Sequence, residues 1–324
     1  SAAAPPPPLA GVPPSVLRPP RVFGRDAQVT ALAEGWAADQ VVALIGEAGM
    51  GKSRLFQEFA ALHPGTVHAA ARPGDMGVPF ATLARLLRAV AARPQATDLL
   101  EREPATRREV ARVVPELAAG SATAAGEGQR LVLQGALARL LQAQPALAGL
   151  LVDDLHFADE ASLEMLLALL GEEPVQGPGS GPRWALAWRP AEAATPLHAF
   201  ADALADQAAL RPVPLLPLSE SDLAALVDSL CLPGVRGAAL AAGLHQRTGG
   251  NPLFVLETLK QAWVEGQLRD MPGDAGPTAL TLPRPVSVTR LIERRVAQLS
   301  AGALALARVA AIAGVDFGVP LAEH

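Results

Sequence analysis

The sequence is poor in several features that whole classes of protein need. It has a single cysteine, Cys231, so no disulfide can form within the chain, which agrees with a reducing compartment. No apolar run reaches the roughly 18 residues of a membrane-spanning helix, and no charged and then apolar signal peptide opens the chain. These absences favour a cytoplasmic protein that does not enter a membrane.

Positive charge is also scarce, and almost all of it comes from arginine. Lys52 and Lys260 are the only lysines, and 27 basic residues stand against 32 acidic ones, which gives a net charge of −5. Nucleic-acid-binding domains usually carry a basic face. We therefore expect this chain to make no direct contact with nucleic acid.

The most informative stretch is VVALIGEAGMGKSRLFQEF, residues 41–59, in which an apolar strand leads through a glycine-rich turn into an amphipathic helix. Residues 46–53 fit G-x-x-x-x-G-K-[ST], the phosphate-binding loop of nucleotide-binding proteins. Glycines permit the backbone turns that converge N–H groups on an anion, and the helix N-terminus adds its positive end. We predict a nucleotide site formed by Gly46, Glu47, Ala48, Gly49, Met50, Gly51, Lys52, Ser53 and Arg54.

Two side chains of this loop carry specific roles. Lys52 is predicted to reach the β- and γ-phosphates, and the Ser53 hydroxyl is predicted to bind Mg²⁺. The alternative is a plain glycine-rich turn between a strand and a helix. The flanking residues favour the nucleotide site, because Val41–Ile45 suits a buried parallel strand and one helix face is apolar. That face comprises Leu55, Phe56, Phe59 and Leu62.

A second apolar strand, residues 147–154, ends in the two carboxylates Asp153 and Asp154. A phosphate-binding loop needs a carboxylate at a neighbouring strand tip to hold hydrated Mg²⁺, and often a second one to orient the attacking water. We assign Asp153 to the metal and Asp154 to the water. The alternative is that the two residues simply end a strand. Asp159 is predicted to be the N-cap of the next helix.

A third strand, residues 184–188, ends at Arg189 and Pro190. An arginine at a strand tip beside the phosphates would sense the γ-phosphate. The alternative is a surface arginine before a proline that breaks the chain.

The order of elements predicts an α/β fold with five parallel strands, at residues 41–45, 66–71, 147–154, 184–188 and 210–215, and with the ligand at the strands' C-terminal ends. Prolines place the fifth strand at an edge. From Ser219, which resembles a capping box with Asp222, the chain becomes helical. Residues 249–252, GGNP, read as a turn and helix start. Residues 1–20 are rich in proline and are predicted to be an extended linker.

Seven stretches together resemble the STAND-class P-loop ATPases, relatives of the AAA+ proteins found in large bacterial transcriptional regulators of the LuxR and SARP types, the latter with a BTAD-like upstream region. They are VFGRD (22–26), GEAGMGKSRL (46–55), LLVDDLHFADEASLEML (150–166), LAWRP (186–190), LLPLSESDL (215–223), RTGGNPLFVLE (247–257) and LPRPVSVTRLIERRVAQLS (282–300). Two positions depart from the family pattern: Asp26 replaces a glutamate, and Phe157 replaces a tryptophan.

The resemblance also implies a sheet order, domain boundaries and residue roles that the residues alone do not indicate. It implies sheet order 5-1-4-3-2, with a P-loop nucleotide-binding domain over residues 21–217, a helical lid over 218–280 and the start of a winged-helix region over 281–324. Phe23, Gly24 and Arg25 would lie along the adenine, Arg189 would be the γ-phosphate sensor, and Pro252 would pack on the base from the lid. It also implies an upstream effector domain, a downstream sensor domain and possible self-association on activation.

These observations predict an ATP/ADP-binding molecular switch with slow ATP hydrolysis, using Mg²⁺, inside a larger signalling regulator. One alternative is an ATPase motor that remodels a partner protein. Another is a small-molecule kinase, against which stand the long helical lid and the lack of an evident acceptor pocket. A guanine-nucleotide switch is disfavoured because the sequence has no N-K-x-D stretch.

Overall fold

The computed structural model describes residues 12–117, 127–171, 181–207, 210–268 and 301–313. The chain divides into two compact units. The nucleotide-binding unit is Val22–Pro217, and the helical unit combines Ser1–Arg21 with Leu218–His324. Within the described ranges, no helix has the length and apolar character required to cross a membrane.

The nucleotide-binding unit is built on a five-stranded sheet in which every pairing is parallel. The strands are β1 Val41–Ile45, β2 Thr66–Ala70, β3 Gly149–Asp153, β4 Arg183–Trp188 and β5 Leu210–Pro214. Their order is β2-β3-β4-β1-β5, which is the predicted order read from the opposite edge. The α/β fold of a P-loop NTPase is therefore confirmed, and β5 lies at an edge as its prolines predicted.

Helices cover both faces of this sheet, because the side chains of each buried strand alternate between the two faces. Val42 and Leu44 of β1 pack with α2 (Asp26–Ala37) and α3 (Lys52–Leu62). Val41 and Ala43 belong to the larger core on the other face. The helices of that face are α4 Ala81–Ala91, α5 Pro94–Arg102, α6 Pro104–Val110, α7 Glu127–Gln142, α8 Glu160–Leu170 and α9 Thr195–Gln207.

One prediction for the buried face of α3 is wrong. Leu55, Phe56 and Phe59 are buried, but the Leu62 side chain is 73% exposed. Leu62 is the last residue of α3, and the chain turns at His63, whose ring stacks on Phe59 with 3.9 Å between ring centroids. The His63 ring, and not the Leu62 side chain, is therefore the group that packs at this end of the helix.

The helical unit contains α1 Pro14–Leu17, α10 Glu220–Ser229, α11 Gly237–Thr248, α12 Pro252–Val264 and a helix over Ala301–Ala313. We predicted an extended linker over residues 1–20. In its described part, α1 instead contacts α12, and Val16 is fully buried. Residues 1–11, the lid residues 269–280, and residues 281–300 and 314–324 of the predicted winged-helix region lie outside the described residues, so these domain assignments stay predictions.

Candidate nucleotide-binding site

The phosphate-binding loop connects the end of β1 to the start of α3. The N–H of Gly46 donates to the carbonyl oxygen of Trp188 at 3.3 Å, which ties the loop to β4. A Cβ at Gly46 would lie 2.9 Å from the carbonyl oxygen of Leu215, so a side chain there would force a shift. Gly49 and Gly51 have φ values of 82° and 93°, in the left-handed region that favours glycine. The loop thus makes the turn that the motif predicts.

Lys52 is buried and is held by the loop itself. Its Nζ donates to the carbonyl oxygens of Gly46 at 2.6 Å and Glu47 at 3.1 Å, and the residue is 5% exposed. Burial lowers the pKa of Lys52, and the positive charge of Arg189 lowers it further, while nearby carboxylates oppose both effects. Carbonyl oxygens replace only part of the lost hydration, so this ammonium group would gain from contact with a phosphate.

The remaining loop residues face in different directions. Ala48 and Met50 are buried, whereas Ser53 is exposed. Arg54 forms an ion pair with Glu58, one turn further along α3, at 2.6 Å. The Arg54 side chain is therefore directed along its own helix.

The segment before α2 is fixed against the loop and α3. The N–H of Val22 donates to Glu58 Oε2 at 3.3 Å, and Nη2 of the buried Arg25 donates to the carbonyl oxygen of Met50 at 3.2 Å. Gly24 has a φ of 61°, so the chain turns at this point. These contacts place Phe23 and Gly24 on a segment that is joined to the loop, and their contact with adenine stays a prediction.

Asp153 ends β3 and is 1% exposed. Burial alone would raise its pKa, but hydrogen bonds from His68, from the Ser53 hydroxyl and from the N–H of Asp154 outweigh burial and lower the pKa. Asp153 is therefore ionised at neutral pH. Its carboxylate and the Ser53 hydroxyl are the hard oxygen donors that Mg²⁺ prefers.

This pair fits the metal predicted from the sequence. In the part of the chain that the structure describes, no group of three or more histidine, cysteine, aspartate or glutamate side chains is arranged to hold a metal ion. P-loop sites do not need such a group, because a hydroxyl, a carboxylate, the nucleotide's own oxygens and water complete the coordination.

Asp154 and Arg189 lie together at the ends of two neighbouring strands. The backbone of Asp154 is left-handed, with φ 53° and ψ 37°, a conformation that aspartate tolerates better than most residues. Its Oδ1 lies 3.7 Å from Nη2 of Arg189. Burial raises the pKa of Asp154, and the charge of Asp153 raises it further, while Arg189 and Lys52 oppose them. A carboxylate with a raised pKa is a stronger general base than an ordinary one.

Two further side chains in this cluster had no role in the sequence analysis. His156 is buried, with Nε2 at 3.8 Å from Asp154 Oδ1 and 3.7 Å from Glu192 Oε2, and neither ring nitrogen has a hydrogen-bond partner among the described residues. Burial, helped by the charge of Arg189, lowers the pKa of His156 to about 4, so the ring is neutral at pH 7. Glu192 accepts from Nη1 of Arg189 at 3.1 Å through both carboxylate oxygens.

One feature of the sequence could have indicated that Glu192 pairs with Arg189. It lies three residues after Arg189, and Pro190 begins the 3₁₀ turn Pro190–Glu192 that returns the carboxylate to the guanidinium. No comparable feature indicated a role for His156, because the side chains around it follow the ends of two separate strands.

Asp159 is the N-cap of α8, as predicted, and it also caps a second helix. Its Oδ1 accepts from the N–H groups of Ser162 and Phe80 at 2.9 and 2.7 Å, and its Oδ2 accepts from the N–H of Thr82 at 3.2 Å. The hydroxyl of Ser162 donates to Asp159 Oδ2 and accepts from the N–H of Leu83 at 2.9 Å. The first turns of α4 and α8 are thereby joined beside the tip of β3.

Pro252 belongs to the helical unit and begins α12. Gly249 ends α11 in the left-handed region with φ 58°, and the Asn251 side chain caps α12 by accepting from the N–H groups of Leu253 and Phe254. This is the predicted turn and helix start. The packing of Pro252 on adenine stays a prediction.

The fold is shared with known ATPases. Residues 21–180 match the family of the AAA ATPase domain, just under half of the chain. The Walker-type ATPase of Pyrococcus abyssi aligns with 85% of this chain and 73% of its own, at 13% identity and a TM-score of 0.50. Cdc6p from Pyrobaculum aerophilum aligns at 12% identity and a TM-score of 0.49, over 79% of this chain and 66% of its own.

A STAND protein from Pyrococcus horikoshii with a tetratricopeptide repeat sensor aligns at 15% identity and a TM-score of 0.43, over 87% of this chain and 34% of its own. No curated protein matches the sequence. The sheet order and the phosphate-binding loop are those of a P-loop NTPase, and residues 21–180 are similar to the AAA ATPase domain.

Proposed function

We propose that this chain is the ATP/ADP-binding switch module of a larger signalling protein, and that slow ATP hydrolysis resets it. The observation that carries the proposal is that three charged side chains meet at the carboxyl ends of the inner strands of the sheet. Asp154 and Arg189 lie close enough to Lys52 that their charges act on its pKa. Metal-supported phosphoryl chemistry needs this combination of a cation for the phosphates, a carboxylate for water and a sensor for the terminal phosphate.

Each residue has a distinct part in the proposed cycle. Lys52 leaves the carbonyl oxygens that hold it and binds the β- and γ-phosphates. Asp153 and Ser53 hold Mg²⁺, which neutralises charge on the phosphate oxygens when it is bound. Asp154 accepts a hydrogen bond from the attacking water and orients it toward the γ-phosphate. Arg189 pairs with the γ-phosphate, so it distinguishes ATP from ADP.

The regulatory part of the proposal rests on the STAND resemblance. We infer an effector unit upstream, with transcription control as its output, and a sensor unit downstream. ADP would favour a closed conformer, and ATP with an inducer would favour an open conformer that self-associates. A ligand shifts such an equilibrium only by its difference in affinity for the two conformers.

The primary test is the nucleotide affinity of the Lys52→Ala variant. We expect calorimetry to show tight binding of ATP to the unmodified protein and loss of that binding in the variant, because Lys52 is the one side-chain cation that the loop is predicted to supply to the phosphates. Lys260→Ala is the matched control, since Lys260 is the only other lysine and pairs with Glu257 at 2.6 Å. An affinity of Lys52→Ala within about threefold of the unmodified protein, or about 0.7 kcal/mol, would remove the proposal.

The rate and product of ATP turnover distinguish a switch from a motor and from a small-molecule kinase. A switch should hydrolyse ATP more slowly than the roughly 1–1000 per second typical of enzymes, and the purified protein should carry ADP or ATP. Sustained turnover of many per second, stimulated by a client protein, would favour a motor. Transfer of phosphate to a metabolite would favour a kinase.

A further inference from the structure

The candidate γ-phosphate sensor is already paired with a carboxylate on its own turn. Nη1 of Arg189 donates to both oxygens of Glu192 at 3.1 Å, while Nη2 lies 3.7 Å from Asp154 Oδ1. The N–H of Glu192 also donates to the carbonyl oxygen of Arg189 at 3.3 Å, which closes the turn between the two residues.

The geometry of this pair leaves the arginine able to change partners. A single nitrogen serves both carboxylate oxygens, so the contact is not the parallel fork of two N–H donors that makes arginine–carboxylate pairs strongest. The Nε atom of Arg189 is buried and has no hydrogen-bond partner within the described ranges. The guanidinium therefore keeps donors that the Glu192 contact does not use.

The surroundings hold the guanidinium near the strand end. Its Cζ lies 5.8 Å from the centre of the Phe157 ring, a distance suited to a cation–π contact. The ring of His156 also lies near the carboxylate, with Nε2 3.7 Å from Glu192 Oε2. Because burial keeps this imidazole neutral at pH 7, it adds no second positive charge to hold the carboxylate.

We propose that Glu192 is a specificity-determining residue that competes with the γ-phosphate for Arg189 and so sets the preference of the site for ATP over ADP. The inference rests on the proposed function. The γ-phosphate of ATP competes with the carboxylate for the charge of the guanidinium, whereas ADP has no γ-phosphate to compete. Glu192 thus weakens ATP binding selectively, and it keeps the sensor neutralised when ADP is bound.

The test compares the affinities of ADP and a non-hydrolysable ATP analogue in Glu192→Gln. Glutamine keeps the size of the side chain and removes its charge. We expect the preference for the analogue over ADP to rise about five- to tenfold, within the range of one charge-assisted hydrogen bond at a partly exposed site. ADP affinity should change less than twofold.

The same substitution in an Arg189→Ala background shows whether the effect passes through the arginine. There we expect Glu192→Gln to leave the preference unchanged within twofold. Glu109→Gln is the matched control, because Glu109 forms the same i,i+3 pair with Arg112 at 2.9 Å, and it should leave the preference unchanged. Circular dichroism on each variant checks that the fold is retained.

The outcomes separate this inference from the proposed function. An unchanged or lower preference in Glu192→Gln overturns the inference, as does an equal rise in the Arg189→Ala background, which would mean that the carboxylate acts on the nucleotide directly. In these cases the proposed function stands as long as binding depends on Lys52. If the unmodified protein binds neither nucleotide, the proposed function fails and the inference fails with it.

Discussion

Replacing Asp159 should destabilise the nucleotide-binding unit far more than replacing an ordinary helix cap. Its carboxylate accepts four hydrogen bonds, from the N–H groups of Phe80, Thr82 and Ser162 and from the hydroxyl of Ser162. Asp159 is 2% exposed, so its hydrogen bonds lie out of reach of bulk water. The Asp159→Ala variant leaves three backbone donors without a partner and uncaps two helices.

The expected cost follows from these contacts. Loss of an N-cap costs about 0.5–2 kcal/mol, and each buried donor left unpaired costs about 1–3 kcal/mol. Phe80 adds to the cost, because its left-handed φ of 62° is strained for an aromatic residue and its N–H is one of those that Asp159 holds. Since neighbouring contributions are not additive, we expect a total of about 3–5 kcal/mol.

Urea unfolding followed by circular dichroism measures this loss. For a slope near 2 kcal/mol per molar urea, the midpoint should fall by about 2 M. Asp159→Asn should cost less, because one amide oxygen still accepts a hydrogen bond. Glu160→Ala is the control: it removes an exposed acidic residue from the same first turn of α8 and should cost about 0.3–1 kcal/mol. An Asp159→Ala cost no larger than this control would refute the double-cap reasoning.

Three other predictions follow from the site. The pKa of His156 falls from 6.5 to about 4 on folding, so the unfolded chain binds a proton between these pH values and the native protein does not. The free energy of unfolding should therefore be lower by about 3 kcal/mol at pH 4 than at neutral pH. Urea unfolding at a series of pH values should show a weaker dependence of this free energy on pH for His156→Gln. Asp154→Asn should bind Mg-ATP but hydrolyse it more slowly, whereas Asp153→Asn should weaken the Mg²⁺ dependence of binding; hydrolysis by Asp154→Asn at the unmodified rate would assign the water to another residue. The chain should sediment as a monomer with either nucleotide, because one γ-phosphate contact of about 1.5–3 kcal/mol cannot supply the ~5.5 kcal/mol needed for a complete population shift; a large oligomer with the ATP analogue alone would contradict this.

The local features of the site were predictable because they depend on residues adjacent in the chain. The phosphate-binding loop, the N-cap at Asp159 and the capping box at Ser219 and Asp222 are all formed as the sequence predicted. In each case the backbone conformation and the group that satisfies it lie within a few residues of each other. Short, largely apolar runs likewise predicted all five strands.

The sequence by itself determined the strands, the phosphate-binding loop and the residue types that the loop chemistry needs, because these follow from apolar runs, glycine conformation and short spacing. Only the tertiary structure decided which distant groups meet: Asp159 with the first turn of α4, and His156 with both Asp154 and Glu192. These contacts join elements that are separate in the chain, and their distances depend on how β3 and β4 pair and where each strand ends. Burial then lowers the pKa of Lys52 and of His156, and burial depends on packing between elements that are distant in the chain.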